Sequence, residues 1–207
     1  MNIIADIAGQ HKALVKLMAK MPNEEFIFLA DLVDRGPDSD KVVELAMNHR
    51  CVLGNHEHMM IDYLDNSKIY QPTIWFRNGG YATLKSYEVN PRLEPHLAWL
   101  KSLPTYIETD KVFISHAPWH HDFDLEMVAK PMLDVGFGGI NSYSLIWNRE
   151  EPRQREKLQV FGHNSHWGLK YFGSEKDPWA ICLDDSRRNR LTGLNLTTMK
   201  IYQEDFR

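Results

Sequence analysis

The sequence predicts an α/β fold in which two mixed β-sheets pack as a sandwich flanked by helices. Three observations lead there. Apolar runs and amphipathic helical stretches alternate over residues 2–55, the strand–helix–strand order of a parallel sheet with right-handed crossovers. After Leu103-Pro104 the pattern changes to short strand-like runs separated by polar turns. Five of the apolar runs stop on a polar residue able to bind a metal, and such residues gather at the carboxyl ends of strands in open α/β sheets.

The elements follow in order. Ile3-Ile4-Ala5 is a short apolar strand closed by Asp6, and Gly9 lets the chain turn away from it. From His11 to Lys20, Leu14, Leu17 and Met18 share one helical face with lysines elsewhere, and Pro22 ends the helix. Phe26-Ile27-Phe28-Leu29 is a continuous run of strand length. Gly36-Pro37 marks a turn, Val42, Val43, Leu45 and Ala46 indicate a second helix, and Cys51-Val52-Leu53 a third strand. The middle of the chain reads as mainly helical, punctuated by Gly79-Gly80 and Pro91. Tyr106-Ile107 and Val112-Phe113-Ile114 read as strands joined by a turn at Asp110, and residues 158–161, 180–183 and 194–202 as further strands. No repeat, low-complexity tract or long linker interrupts this order, so residues 1–207 are expected to form one domain.

Composition narrows the function. Hydrophobic residues make up 43% and charged residues 25%, ordinary for a soluble globular protein. The net charge of -4 argues against broad electrostatic binding to nucleic acid or to anionic membrane. Cys51 and Cys182 match no metal or redox spacing and read as reduced core thiols. No apolar run reaches membrane-spanning length, and Asp6 interrupts any leader pattern, so the expected location is the cytoplasm.

The five strand ends carry the chemistry. "NIIAD" ends on Asp6, "FIFLAD" on Asp31, "CVLGN" on Asn55, "KVFISH" on His116 and "LQVFGH" on His163. Any one of them alone reads as a turn former or a structural histidine. Together they form a mixed oxygen and nitrogen donor set that suits manganese, iron or zinc better than calcium. Two carboxylates and two imidazoles exceed the needs of one open catalytic ion, which points to two ions roughly 3.5–4 Å apart, with one Asp able to bridge them. In the loops that follow, Arg35 is suited to grip a phosphoryl group through parallel N–H bonds. His56 is placed to protonate a leaving oxygen, with Asp34 fixing its tautomer. Taken alone, Arg35 reads as a surface ion pair with Asp34 or Asp38.

The blocks "ADLVDRG", "GNHE", "SHA" and "FGH" resemble the signatures of the phosphoprotein phosphatase family of metallophosphoesterases, and "GNHEHMMIDYL", "NGG" and "IWNRE" look like its phage and bacterial branch. The resemblance runs from Asp6 to about Leu196. It implies the four-layer αββα calcineurin-like fold and a dinuclear-metal-dependent phosphomonoester hydrolase acting on phosphoserine or phosphothreonine in proteins or peptides. It implies two divalent ions, most naturally manganese, with iron, zinc or nickel as alternatives. Asp6, Asp31 and His163 would serve the first ion and Asp31, Asn55 and His116 the second, the histidines being open to exchange between ions. His56 would be the general acid supported by Asp34, and Arg35 and Arg149 would hold the phosphate oxygens. Rival readings are a dinucleoside tetraphosphate hydrolase, a nucleotide or RNA phosphodiesterase, and a non-catalytic binder of phosphorylated ligands.

The family pattern D-x-H-G is Asp6-Ile7-Ala8-Gly9 here, so Ala8 stands where a metal-binding histidine belongs. A methyl group cannot coordinate, and the first ion is expected to be held weakly. Ala8 reads as an introduced substitution, as a natural variant working with one strong ion, or as the mark of a binder without turnover. His11 is expected to lie too far away, at the start of the first helix. Ala30, in place of the family's glycine, is a smaller departure. Trp119, His120 and His121 read equally as a substrate groove or a surface loop, and Arg187, Arg188 and Arg190 as a solvated turn.

Overall fold

The computed structural model describes residues 1–120, 125–129 and 144–206. The strands are β1 (Asn2–Ile4), β2 (Phe26–Phe28), β3 (Arg50–Cys51), β4 (Tyr106–Glu108), β5 (Val112–Ser115), β6 (Leu158–Phe161), β7 (Lys170–Gly173), β8 (Pro178–Cys182), β9 (Arg190–Asn195) and β10 (Lys200–Asp205). The helices are α1 (His11–Lys20), α2 (Ser39–Ala46), α3 (Asn55–Asp65), α4 (Pro72–Arg77), α5 (Gly80–Tyr87), α6 (Leu93–Lys101) and α7 (Leu125–Val128).

One sheet has the order β10-β9-β1-β2-β3 and the other β4-β5-β6-β8-β7. Both are mixed. β1, β2 and β3 are parallel, as are β5, β6 and β8, while β9, β10, β4 and β7 join antiparallel. Strand alternation divides the core. Ile3, Ile27, Ile114, Val160 and Ile181 meet between the sheets. Their neighbours Ile4 and Phe28 face the other way and pack with Leu14, Leu17, Val42 and Val43 of α1 and α2. The second sheet's far face is covered by Trp167 and Trp179 at one end and by Trp119 and α7's Leu125 at the other.

The third strand is shorter than its apolar run. Val52 still donates to Phe28 (3.1 Å), but Leu53 leaves the sheet to donate to Pro104 (2.7 Å), so pairing stops at Cys51. The run over residues 194–202 splits at a polar turn into β9 and β10. Strand β7 was not expected, because "KYFG" has no apolar run; it exists through its pairing with β8. Both cysteines are buried and free, as read from their spacing. Among the described residues no helix is long and apolar enough to cross a membrane.

Candidate metal centre and active site

The parallel registers bring the carboxyl ends of β1, β2, β5 and β6 to one side of the sandwich. Asp6 lies two residues beyond the last β1–β2 pair (Ile4↔Phe28), and His163 two beyond the last β6–β8 pair (Phe161↔Cys182). The backbone there is sharply turned. Among the described residues, seven of the eleven non-glycine residues with positive φ are at or beside this site: Asp6, Ala8, Ala30, Asp31, Asp34, Arg35 and His163. Such conformations cost energy and cluster where function demands them. The turn after β1 is stapled to the loop after β2, with Ala8 donating to Asp31 (2.6 Å) and Gly36 to Ala8 (3.0 Å). A side chain on Gly36 would collide with the backbone of Ala8 and Gly9, so only glycine permits this approach.

Asp6, Asp31 and His116 present donor atoms within 4.8 Å of one another. His116 donates through Nδ1 to the Leu29 carbonyl (2.8 Å), which leaves its Nε2 lone pair facing Asn55 Oδ1 (2.9 Å) and Asp31 Oδ1 (3.2 Å). Three acceptors converge there with no proton to share, and a cation is the group that satisfies them. His163 repeats the device. Its Nε2 lies 3.3 Å from the Trp147 carbonyl, so donation there leaves Nδ1 as the donor to a metal, and its backbone N–H bonds both oxygens of Asp6 (3.1 and 3.2 Å). Burial, with His116 and Arg149 nearby, pushes the His163 imidazole well below its ordinary range, keeping the neutral form a metal requires. Burial raises the carboxyl of Asp31, but His116, His56 and Arg35 outweigh it and its pKa is lowered. Asp6 goes the other way, pushed well up by burial, Asp184 and Asp31. The donor set of Asp6, Asp31 and His116 therefore fits a divalent metal.

Beside these donors lies a dyad. His56 Nδ1 is 2.5 Å from Asp34 Oδ2, and both side chains are buried. Burial disfavours charged His56, but the Asp31 charge and the Asp34 hydrogen bond outweigh it, so the imidazole holds its proton above its ordinary pKa. Asp34 is itself fixed by Trp75 Nε1 (3.0 Å) and the Thr83 hydroxyl (2.6 Å). Arg35 does not pair with Asp34 or Asp38. Its guanidinium donates to His56 Nε2 (2.9 Å), while Asp38 pairs with Lys41. Gly79, at φ +109°, leaves room for the Arg35 backbone, which explains the "NGG" segment. Arg149 donates to the His163 carbonyl (3.3 Å) and Asn164 (3.4 Å), and lines the same small cleft as Asp6, Asp31, Asn55 and Arg35.

Sequence reasoning missed four residues. Glu57 accepts N–H bonds from Gly54 (3.1 Å), Asp31 (2.9 Å), Leu32 (2.7 Å) and Val33 (3.3 Å), tying the loop after β2 to the start of α3. Its signal was a glutamate three residues after Gly54, the residue that caps the start of α3, placed to accept that residue's N–H. Removing this carboxylate strands four buried N–H groups. Glu57→Ala is expected to lower stability by about 3 kcal/mol and the thermal midpoint by roughly 6–12 °C, read by calorimetry. Trp75 and Thr83 had no sequence signal. Asp184 lines the cleft and did have one, since residues 180–183 are also an apolar run that ends on a carboxylate.

Other expectations fall outside the cleft. Ala8 is 4% exposed and its methyl group adds no donor. His11 opens α1 and is not in the cleft lining. Trp119 packs on Phe113 under the Arg155 guanidinium, and His120 faces Arg153, so neither forms the cleft wall; His121 lies outside the described residues. Arg188 and Arg190 pair with Asp185 and Asp205, as a solvated turn would.

Comparison with known proteins agrees with this geometry. The chain is 28% identical over 173 residues to serine/threonine-protein phosphatase 1 of Salmonella typhimurium, covering 74% of this chain and 79% of the relative. It is 39% identical over 62 residues to the symmetrical bis(5'-nucleosyl)-tetraphosphatase of Delftia acidovorans, covering 26% of this chain and 22% of that protein. A solved structure described as "Crystal structure of a putative diadenosine tetraphosphatase" superposes with a TM-score of 0.70 at 21% identity, covering 98% of this chain and 91% of that one, a likeness of fold. The calcineurin-like phosphoesterase family matches residues 2–187, and with metal donors gathered at the strand ends as its chemistry requires, the chain belongs to that family of metal-dependent phosphoester hydrolases.

Proposed function

We propose that this chain is a single-domain, dinuclear-metal phosphomonoesterase that removes phosphate from phosphoserine or phosphothreonine in proteins and peptides. The observation that carries the reading is the Asp34–His56 dyad set beside the metal donors, with Arg35 on the Nε2 of the imidazole. Asp6, Asp31 and His163 would hold one ion, and Asp31, Asn55 and His116 the other, with manganese the natural choice. When bound, the ions supply Lewis acidity toward the phosphoryl oxygens and an activated water.

The chain's own groups do the rest. Arg35 and Arg149 orient the phosphoryl group and neutralise its oxygens. Once Arg35 turns to the phosphate, His56 Nε2 is free to take up a proton from solvent and pass it to the departing alkoxide. Asp34 holds the imidazole by Nδ1 and stabilises its charge, while Trp75 and Thr83 keep Asp34 in place. The reading sets the protein in the cytoplasm, where the buried thiols stay reduced.

A tetraphosphatase is the second reading, favoured by the short but 39% identical match to the Delftia acidovorans enzyme. The likeness to the Salmonella typhimurium phosphatase spans far more of both chains and supports the phosphatase. With manganese present, phosphoserine and phosphothreonine peptides are expected to release phosphate faster than dinucleoside tetraphosphates are cleaved, as followed by phosphate assay and chromatography. Intact phosphopeptides alongside cleaved tetraphosphate would replace the first reading with the second.

A further inference from the structure

Ala8 leaves the first ion one donor short. The turn that carries it is otherwise intact, since its N–H and carbonyl hold Asp31 and Gly36. Another donor stands in the same cleft. Asp184 lies two residues past the last β6–β8 pair, the position on β8 that corresponds to His163 on β6. Leu183 donates to the Phe161 carbonyl (2.8 Å), which carries the parallel alignment toward these two residues. On the adjoining strand end, Gly162 has no side chain, and the Asp6 carboxylate occupies the space a Cβ would need. Asp6 and Asp184 thus stand at neighbouring strand ends and line one cleft.

The burial of Asp184 needs an explanation. Asp6, Asp31 and Asp184 are 3%, 4% and 2% exposed, and all three line one cleft. Among the described residues, no lysine or arginine forms an ion pair with any of them. Asp31 faces His116 and His56, whereas among the described residues Asp6 and Asp184 form no such pair; uncompensated buried carboxylates are costly, and a bound cation removes the cost. Asp184 does accept the Ser186 N–H (3.0 Å), the bond of a turn former. A turn former, however, has no reason to line a buried cleft together with two other carboxylates.

We propose that Asp184 is a ligand of the first ion and replaces the imidazole that Ala8 does not provide. The assignment rests on the two-metal reading above. It makes the first site richer in oxygen, with Asp6, Asp31 and Asp184 around a single imidazole, and so more suited to manganese than to softer zinc.

The test is calorimetric titration of the metal-free full chain with manganese chloride, with electron paramagnetic resonance to count coupled ions. The chain as given is expected to bind two ions. Asp184→Ala is expected to lose the first, or to hold it at least about 10-fold more weakly. Adding Ala8→His to Asp184→Ala is expected to restore it, which also shows that the variant folds. If Asp184→Ala does not fold, Asp184→Asn keeps the turn bond and is titrated in its place. Two ions bound with unchanged affinity after loss of the Asp184 carboxylate overturn the assignment and leave the two-metal reading standing. A chain that binds one ion whether or not Asp184 is present overturns the assignment and the two-metal reading together. A chain that binds no manganese overturns both.

Discussion

Replacing His56 by asparagine is expected to lower kcat on phosphoserine peptides by about 10²–10⁴-fold, the usual contribution of a placed proton donor, while manganese content stays the same. The imidazole touches Asp34 and Arg35 and is not among the proposed metal ligands, so its loss removes proton transfer and spares the donors. The effect depends on the leaving group. An alkoxide departs poorly without a proton, whereas an activated aryl oxide needs little help. The variant should therefore lose far less on an aryl phosphate than on the peptide. Equal losses on both would assign His56 to phosphate binding instead. Asp34→Asn refines the test. Asp34 raises the His56 pKa by stabilising the imidazolium, so removing its charge lowers that pKa. The alkaline limb of the rate profile, where the acid loses its proton, is expected to move to lower pH, with KM nearly unchanged.

Asp31→Ala is expected to have the larger effect, a loss of activity on the order of 10⁴-fold together with both ions. The reason is its position. Its carboxylate faces His116 at 3.2 Å through one oxygen and His56 at 3.7 Å through the other, while its donor atom is within 4.8 Å of that of Asp6. A ligand shared by two ions counts once for each, and even outer partners of a metal site are worth about 10–100-fold. Metal analysis of the purified variant checks the cause directly. A folded Asp31→Ala protein that retains two ions would remove Asp31 from the bridging position.

Much of this site could be read along the chain because its donors share one rule of placement. A run such as Phe26-Ile27-Phe28-Leu29 declares a buried strand, and the metal-binding residue type on which it stops is carried to the sheet's carboxyl edge. Asp6, Asp31, Asn55, His116 and His163 all obey that rule. Asp184 obeys it too, but "LDDS" reads first as a turn. Glu57 was quoted within "GNHE" without a role, since its work is to collect N–H groups from a loop 24 to 26 residues earlier. Trp75 and Thr83 reach Asp34 from 41 and 49 residues away, a contact that only the packing of α4 and α5 creates. Strand β7 escaped for a similar reason, because its edge position needs a partner more than an apolar sequence. Arg149 came from resemblance alone, and it lines the cleft although nothing in its spacing indicates so.

The most direct test of the two-metal account is the release of phosphate from a phosphoserine peptide by chelator-treated protein as manganese is added back. The account predicts no release without metal and a rise that saturates at two ions per chain. Release that persists undiminished in the presence of chelator would contradict it.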